Sequence, residues 1–153
     1  MVRFVLNHIG LLFVLIFGTL SLWQREQLEM SVMTGTAENR AIEPNTRKVT
    51  QMPFVIELNQ LIVEEKPRMR YASEITITDT KGERQSATVE VNHPYKTHDW
   101  NIYQYSYDEG ESDGTPPISV FLLVYDCWLP GVFIGIYMML CGALLMLWKR
   151  ISR

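Results

Sequence analysis

The sequence predicts an α+β membrane protein: two transmembrane helices flanking a small antiparallel β-sandwich or barrel-like extracytoplasmic domain. Three observations point there. Long apolar runs lie near both ends of the 153-residue chain. Between them the hydrophobic period is two, the repeat of a strand with one buried face. Charge is also segregated. Arg3, Lys149, Arg150 and Arg153 flank the outer ends of the two runs with no acid among them. The remainder holds ten of the 14 Lys+Arg and all 17 Asp+Glu, a net charge of −7. Cationic flanks stay cytoplasmic, so both termini are expected inside and the acidic middle outside.

The first run, residues 3–23, is interrupted only by Asn7, His8, Thr19 and Ser21. At ~1.5 Å per residue it is roughly 31 Å long, enough to cross a hydrocarbon core of about 30 Å. A cleaved signal peptide is the competing reading. The length of the run and its bulky end, FGTLSLWQ, with no small-x-small site following, argue against it. Residues 24–50 are polar, with Glu43-Pro44-Asn45, and read as a connector, with a short amphipathic stretch from Leu28 to Met33 at the membrane interface.

Residues 51–126 read as the β domain. Phe54, Ile56 and Leu58 alternate with Val55, Glu57 and Asn59, and the pattern slips once before Leu61 and Val63. Ile75 and Ile77 form a second strand, Ala87, Val89 and Val91 a third, and the tyrosines at 103, 105 and 107 a fourth. ISVFLLVY follows as a continuous apolar strand. Five or six strands at this spacing, with DTKG between two of them, fit an antiparallel sandwich or barrel. The second span, residues 129–148, has Trp128 and Trp148 at its ends and Pro130 in its first turn. Residues 149–153 are a short cytoplasmic tail.

Among candidate sites His8 is the sharpest. It lies about five residues, ~7–8 Å, along the helix from Arg3, where polar groups are costly and tend to face a partner. Two roles stay open for it: a hydrogen bond to a neighbouring helix, or axial ligation of haem or a metal through neutral imidazole. Asn7, Gly10, Gly18 and Ser21 share an arc of roughly 80° on the helical wheel, and Gly131, Gly135 and Gly142 share about 40° on the second span. Both are small-residue faces suited to close helix packing, more in keeping with an assembled complex than with a lone anchor.

The other candidates have plainer explanations. His93 and His98 flank PYKT without a usual ligand spacing and read as loop histidines. DEGESDG, with Asp108, Glu109, Glu111 and Asp113, lacks the spacing and final glutamate of a calcium loop and reads as a solvated hairpin tip, with a docking patch for a basic protein as the alternative. The three tyrosines read as a half-buried sheet face. Cys127 and Cys141, ~21 Å apart along a helix, cannot bridge each other. Cys127, at the outer interface, reads as a spare buried thiol, with a bridge between chains as the alternative, and Cys141 reads as a packing residue. There is no Ser-His-Asp set, no pair of catalytic carboxylates, no P-loop and no nucleic-acid patch, so self-sufficient catalysis is not expected and no nucleic acid is expected as a partner.

The order of several strings resembles the ResB/CcsB family of cytochrome c biogenesis proteins, those that work with a CcsA-type partner. The strings are NHIGL at 7–11, MPFVIELNQLIVEE at 52–65, YASEITITD at 71–79, VEVNHPYKTHDWNIYQYSYD at 89–108 and YDCWLPGVFIGIYMMLCGALLMLW at 125–148. The resemblance implies a subunit of the haem delivery and attachment machinery of the bacterial inner membrane, in contact with membrane lipids. The β domain would be extracytoplasmic, with a CcsA-type polytopic protein and apocytochrome c as partners. It implies that His8 takes the place of the family's transmembrane histidine and holds haem b together with the partner complex. Thioether formation would then belong to the partner. Family members commonly carry further helices ahead of this point, so this chain is expected to be a minimal, two-span version. Residues alone also fit a cofactor-free membrane-anchored adaptor of a respiratory or transport complex. A sensor is disfavoured by the short tail.

Overall fold

The computed structural model describes residues 2–64, 70–97, 100–110 and 114–151. His98, Glu111, Asp113 and Arg153 lie outside the described residues. The chain divides into two compact units, one made of the terminal helices and one spanning Glu26–Tyr125.

In the helical unit, α1 covers Val2–Gln24 and α2 covers Leu129–Ile151. Both are long and apolar enough to cross a membrane. Their outward side chains are large and greasy: Leu22 is 82% exposed, Trp23 87% and Tyr137 64%. Such a surface is at home in lipid and costly in water. The two helices pack on each other through glycine. Gly10, Gly135 and Gly142 are buried, and a methyl group on Gly10 or Gly135 would come within 2.7 Å of the other's carbonyl oxygen. Close backbone approach of this kind is what small residues make possible between apolar helices.

The second unit is one antiparallel sheet. Its eight strands, counted among the described residues, are β1 (Glu26–Met33), β2 (Ala37–Ile42), β3 (Val49–Glu64), β4 (Arg70–Asp79), β5 (Arg84–Glu90), β6 (Tyr95–Thr97), β7 (Trp100–Asp108) and β8 (Ile118–Tyr125). The spatial order is β5-β4-β3-β2-β1-β8-β7-β6. The sheet curls so that its two limbs meet. Tyr71 of β4 stacks on Tyr107 of β7 with ring centroids 4.8 Å apart, and the Tyr95 hydroxyl of β6 donates to Gln85 Oε1 of β5 at 2.6 Å. Inside the curl lie Leu28, Met30, Phe54, Ile56, Phe121 and Leu123, all almost wholly buried. The sandwich-or-barrel expectation thus resolves as a single rolled sheet.

Residues 24–50 correct the sequence reading. The supposed connector is two strands and the start of a third. β1 pairs with β8 over eight residues, from Glu26↔Tyr125 to Met33↔Ile118, which puts it in mid-sheet. Leu28, Met30 and Val32 are its buried face, a period-two pattern over the stretch read as interfacial. Glycine permits the tight turn that follows: Gly35 has φ 77°, and the Thr36 N–H donates to the Met33 carbonyl at 3.0 Å. The slip after Leu58 is a register shift between Leu58 and Gln60 in the β3–β4 ladder. Gly82, at φ 81°, closes the DTKG turn, where Asp79 Oδ1 accepts the N–H groups of Lys81 and Glu83.

The tyrosine stripe is also reassigned. Ile102 and Gln104 are the buried residues of β7, while Tyr105 is 60% exposed beside a register shift between Gln104 and Ser106. The bulge lets Tyr107 reach Tyr71.

Candidate functional site

The helical unit contains an open, mainly apolar cleft of about 570 Å³. Asn7, His8 and Leu11 of α1 line it together with Ile136, Met139, Leu140 and Ala143 of α2. Small residues make this groove. The glycines draw the backbones together, and Ala143 leaves room in its wall.

His8 has a defined setting. Its Nδ1 lies 2.8 Å from the Phe4 carbonyl, one turn earlier in α1, and its ring lies 3.9 Å, centroid to centroid, from the Phe4 ring. A carbonyl only accepts, so Nδ1 carries the proton and Nε2 of the neutral ring holds the lone pair. This is the arrangement seen in imidazoles that bind metals: one nitrogen orients the ring through a backbone carbonyl, and the other is open to coordination. Asn7 is held by α2, with its side-chain oxygen against Gly142 and Nδ2 directed at Met146 Sδ, 3.7 Å away.

At the other end of the helix pair, Asp126 caps α2. Its Oδ1 accepts the N–H groups of Trp128 and Leu129, each at 3.1 Å, and its Oδ2 accepts the Ser21 hydroxyl at 2.5 Å. Trp128 Nε1 donates to Gln24 Oε1 at 2.7 Å, and the Trp128 ring stacks on Phe17, 5.8 Å away. Gly131 packs against the same Phe17 ring. Asn7, Gly10, Gly131, Gly135 and Gly142 are therefore brought into the helix contact, whereas Gly18 is not: a methyl there would meet nothing within 4 Å.

The remaining candidates assemble nothing further. His93 is exposed at the turn after β5, where its backbone exchanges bonds with Glu90. Asp108 Oδ1 accepts the Gly110 N–H at 3.0 Å. Cys127 and Cys141 are free and both exposed, which corrects the buried reading of Cys127. No group of three His, Cys, Asp or Glu side chains able to hold a metal ion occurs among the described residues.

Two features escaped the sequence reading. One is the α2 wall of the cleft, whose Met139 and Ala143 look like ordinary span residues. The other is a buried polar trio in the β unit: Ser73 Oγ donates to Gln104 Oε1 and accepts from Ser119 Oγ, both at 2.6 Å. Gln104 Nε2 in turn donates to the Ser106 carbonyl. Charge pairs sit at the surface. The Arg40 side chain, with its N–H and that of Asn39, holds the Glu38 carboxyl down at about 2. Glu90 and Glu64 raise the pKa of Arg70.

Comparison with curated proteins returns no match. A family model described as the ResB-like family matches residues 3–122. That match runs from α1 into β8 and covers well over half of the sequence, so the chain belongs to the ResB-like family.

Proposed function

We propose that this protein is a non-catalytic subunit of the cytochrome c haem delivery and attachment complex, scaffolding haem transfer across the bacterial inner membrane to apocytochrome c together with a CcsA-type polytopic partner. Family membership supports a place in cytochrome c biogenesis. The observation that carries the finer reading is His8, which lines an apolar cleft between two helices able to span a membrane while its Nδ1 is engaged by the Phe4 carbonyl.

The residues fit haem as cargo. The apolar wall suits a porphyrin face, the imidazole suits its iron, and the Phe4 carbonyl fixes which nitrogen binds. The cleft is open, so a histidine of the partner complex would help His8 to hold the group. Haem b is the form expected before attachment. The helix pair holds the ring at a set depth, with both termini cytoplasmic and the β domain on the outer face. There the net −7 of Glu26–Tyr125, from nine Lys+Arg and 16 Asp+Glu, favours a basic acceptor such as apocytochrome c.

Purification of this chain with its polytopic partner tests the reading. Haem absorbance should accompany the two-chain complex and fall by at least about tenfold in His8→Ala, the loss expected when an axial ligand goes. Haem content equal to that of the parent complex would discard the ligand assignment.

A further inference from the structure

The two end strands of the rolled sheet, β5 and β6, do not pair along their length. Glu90 and His93 exchange N–H···O=C bonds of 3.2 Å in both directions, and the ladder stops there. Beyond that bridge, among the described residues, β5 pairs only with β4. Antiparallel ladders alternate, so residues two and four positions from Glu90 direct their backbone groups to the same outer side. Thr88 and Ser86 therefore present N–H and C=O along an unpaired edge, and their side chains are exposed. From Gln85 to Val89 the strand carries neither charge nor proline, the devices that usually blunt such an edge.

A cavity of about 240 Å³ lies against this edge. Asp79 and Glu83 of the β4–β5 turn line it with Gln85 of β5 and Tyr95 and Lys96 of β6. Two carboxylates outnumber one ammonium there, on a unit that is itself at −7. The Tyr95–Gln85 hydrogen bond spans the gap between β6 and β5 here.

We propose that the outer edge of β5 is a docking site for an extended, basic segment of a partner polypeptide. The segment adds as a strand between β5 and β6, and one of its Lys or Arg side chains enters the cavity beside Asp79 and Glu83. Main-chain bonds to Ser86 and Thr88 supply affinity, and the cavity supplies the preference for a cation. The inference rests on the β domain acting as a docking module and is independent of His8.

The full chain in detergent micelles is titrated against a fluorescein-labelled octapeptide of alternating Lys and Val, and against its counterpart with Glu in place of Lys, by fluorescence anisotropy. The Lys peptide binds and the Glu peptide does not. Thr88→Pro weakens binding by at least about tenfold, whereas Thr88→Val, which keeps the N–H, leaves it within about twofold. The Thr88 N–H faces away from β4, so proline there removes no existing ladder bond, and circular dichroism verifies the fold. Ser86→Pro serves the same purpose should Thr88→Pro fail to fold. Three results would overturn the proposal: no binding of the Lys peptide, equal binding of both peptides, or unchanged binding in a folded proline variant. Self-association of the chain that either proline abolishes would also overturn it, because the occupant would then be a second copy. Haem content of the complex stays normal in Thr88→Pro, which separates this test from that of His8.

Discussion

Ser73 shows how much one hydroxyl can hold. A single proton serves Gln104, so the bond to Ser119 must be donated from the other side, and each member of the trio depends on the next. Ser73→Ala would leave Ser119 and the Gln104 carbonyl oxygen short of a partner in a buried place. A loss of about 1–3 kcal/mol is expected, read as a lower denaturant midpoint at unchanged slope. The inward direction of Ser73 was legible, since Ile75 and Ile77 share its parity on β4. Its partners were not, because they lie 31 and 46 residues further along, on strands brought near only by the curl. The same holds for His8. Its depth in an apolar run was visible in sequence, but the tautomer depends on the Phe4 carbonyl and the cleft depends on α2.

The α1–α2 contact separates what a helical wheel can and cannot give. Spacing groups glycines on one face of each helix, yet it does not say what each face meets. Gly18 shares the arc of Asn7 and Gly10, but at that end of the pair Phe17 and Trp128 fill the space between the helices, and Gly18 looks onto nothing. The difference is measurable. Gly135→Leu meets the Gly10 backbone, which cannot yield, and should destabilise the pair by about 1–3 kcal/mol in detergent unfolding. Gly18→Leu should stay within about 0.5 kcal/mol of the parent. β1 is the converse case. Its alternation of Leu28, Met30 and Val32 was present in the sequence, but methionine and flanking charge suited an amphipathic stretch at the membrane interface equally well. Eight residues of pairing with β8 decide the matter.

The acid response of the rolled sheet is a property of the folded whole, and Glu38 contributes one limb of it. Folding lowers its carboxyl from 4.5 to about 2, chiefly through the hydrogen bonds from the Arg40 side chain. A depressed carboxyl adds stability above its unfolded pKa and loses it as pH falls through the folded value. The stabilisation is thus complete above roughly pH 5 and gone below about pH 2. Urea unfolding of the parent and of Glu38→Gln should differ at neutral pH, with the gap closing over that acid window. Equal curves at every pH would remove Glu38 from the account.

The neighbourhood of β1 and β8 has a further consequence for how the molecule is made. β1 finds its full-length neighbour only in β8, nearly a hundred residues further along the chain. Until Ile118–Tyr125 emerges, the nascent β1 has one flank vacant, and α1 waits equally long for α2 to be synthesised. Such long-range closure is slow and exposes a sticky edge meanwhile. A chain that stalls before Ile118 is therefore a substrate for chaperones or proteases rather than a partly working protein.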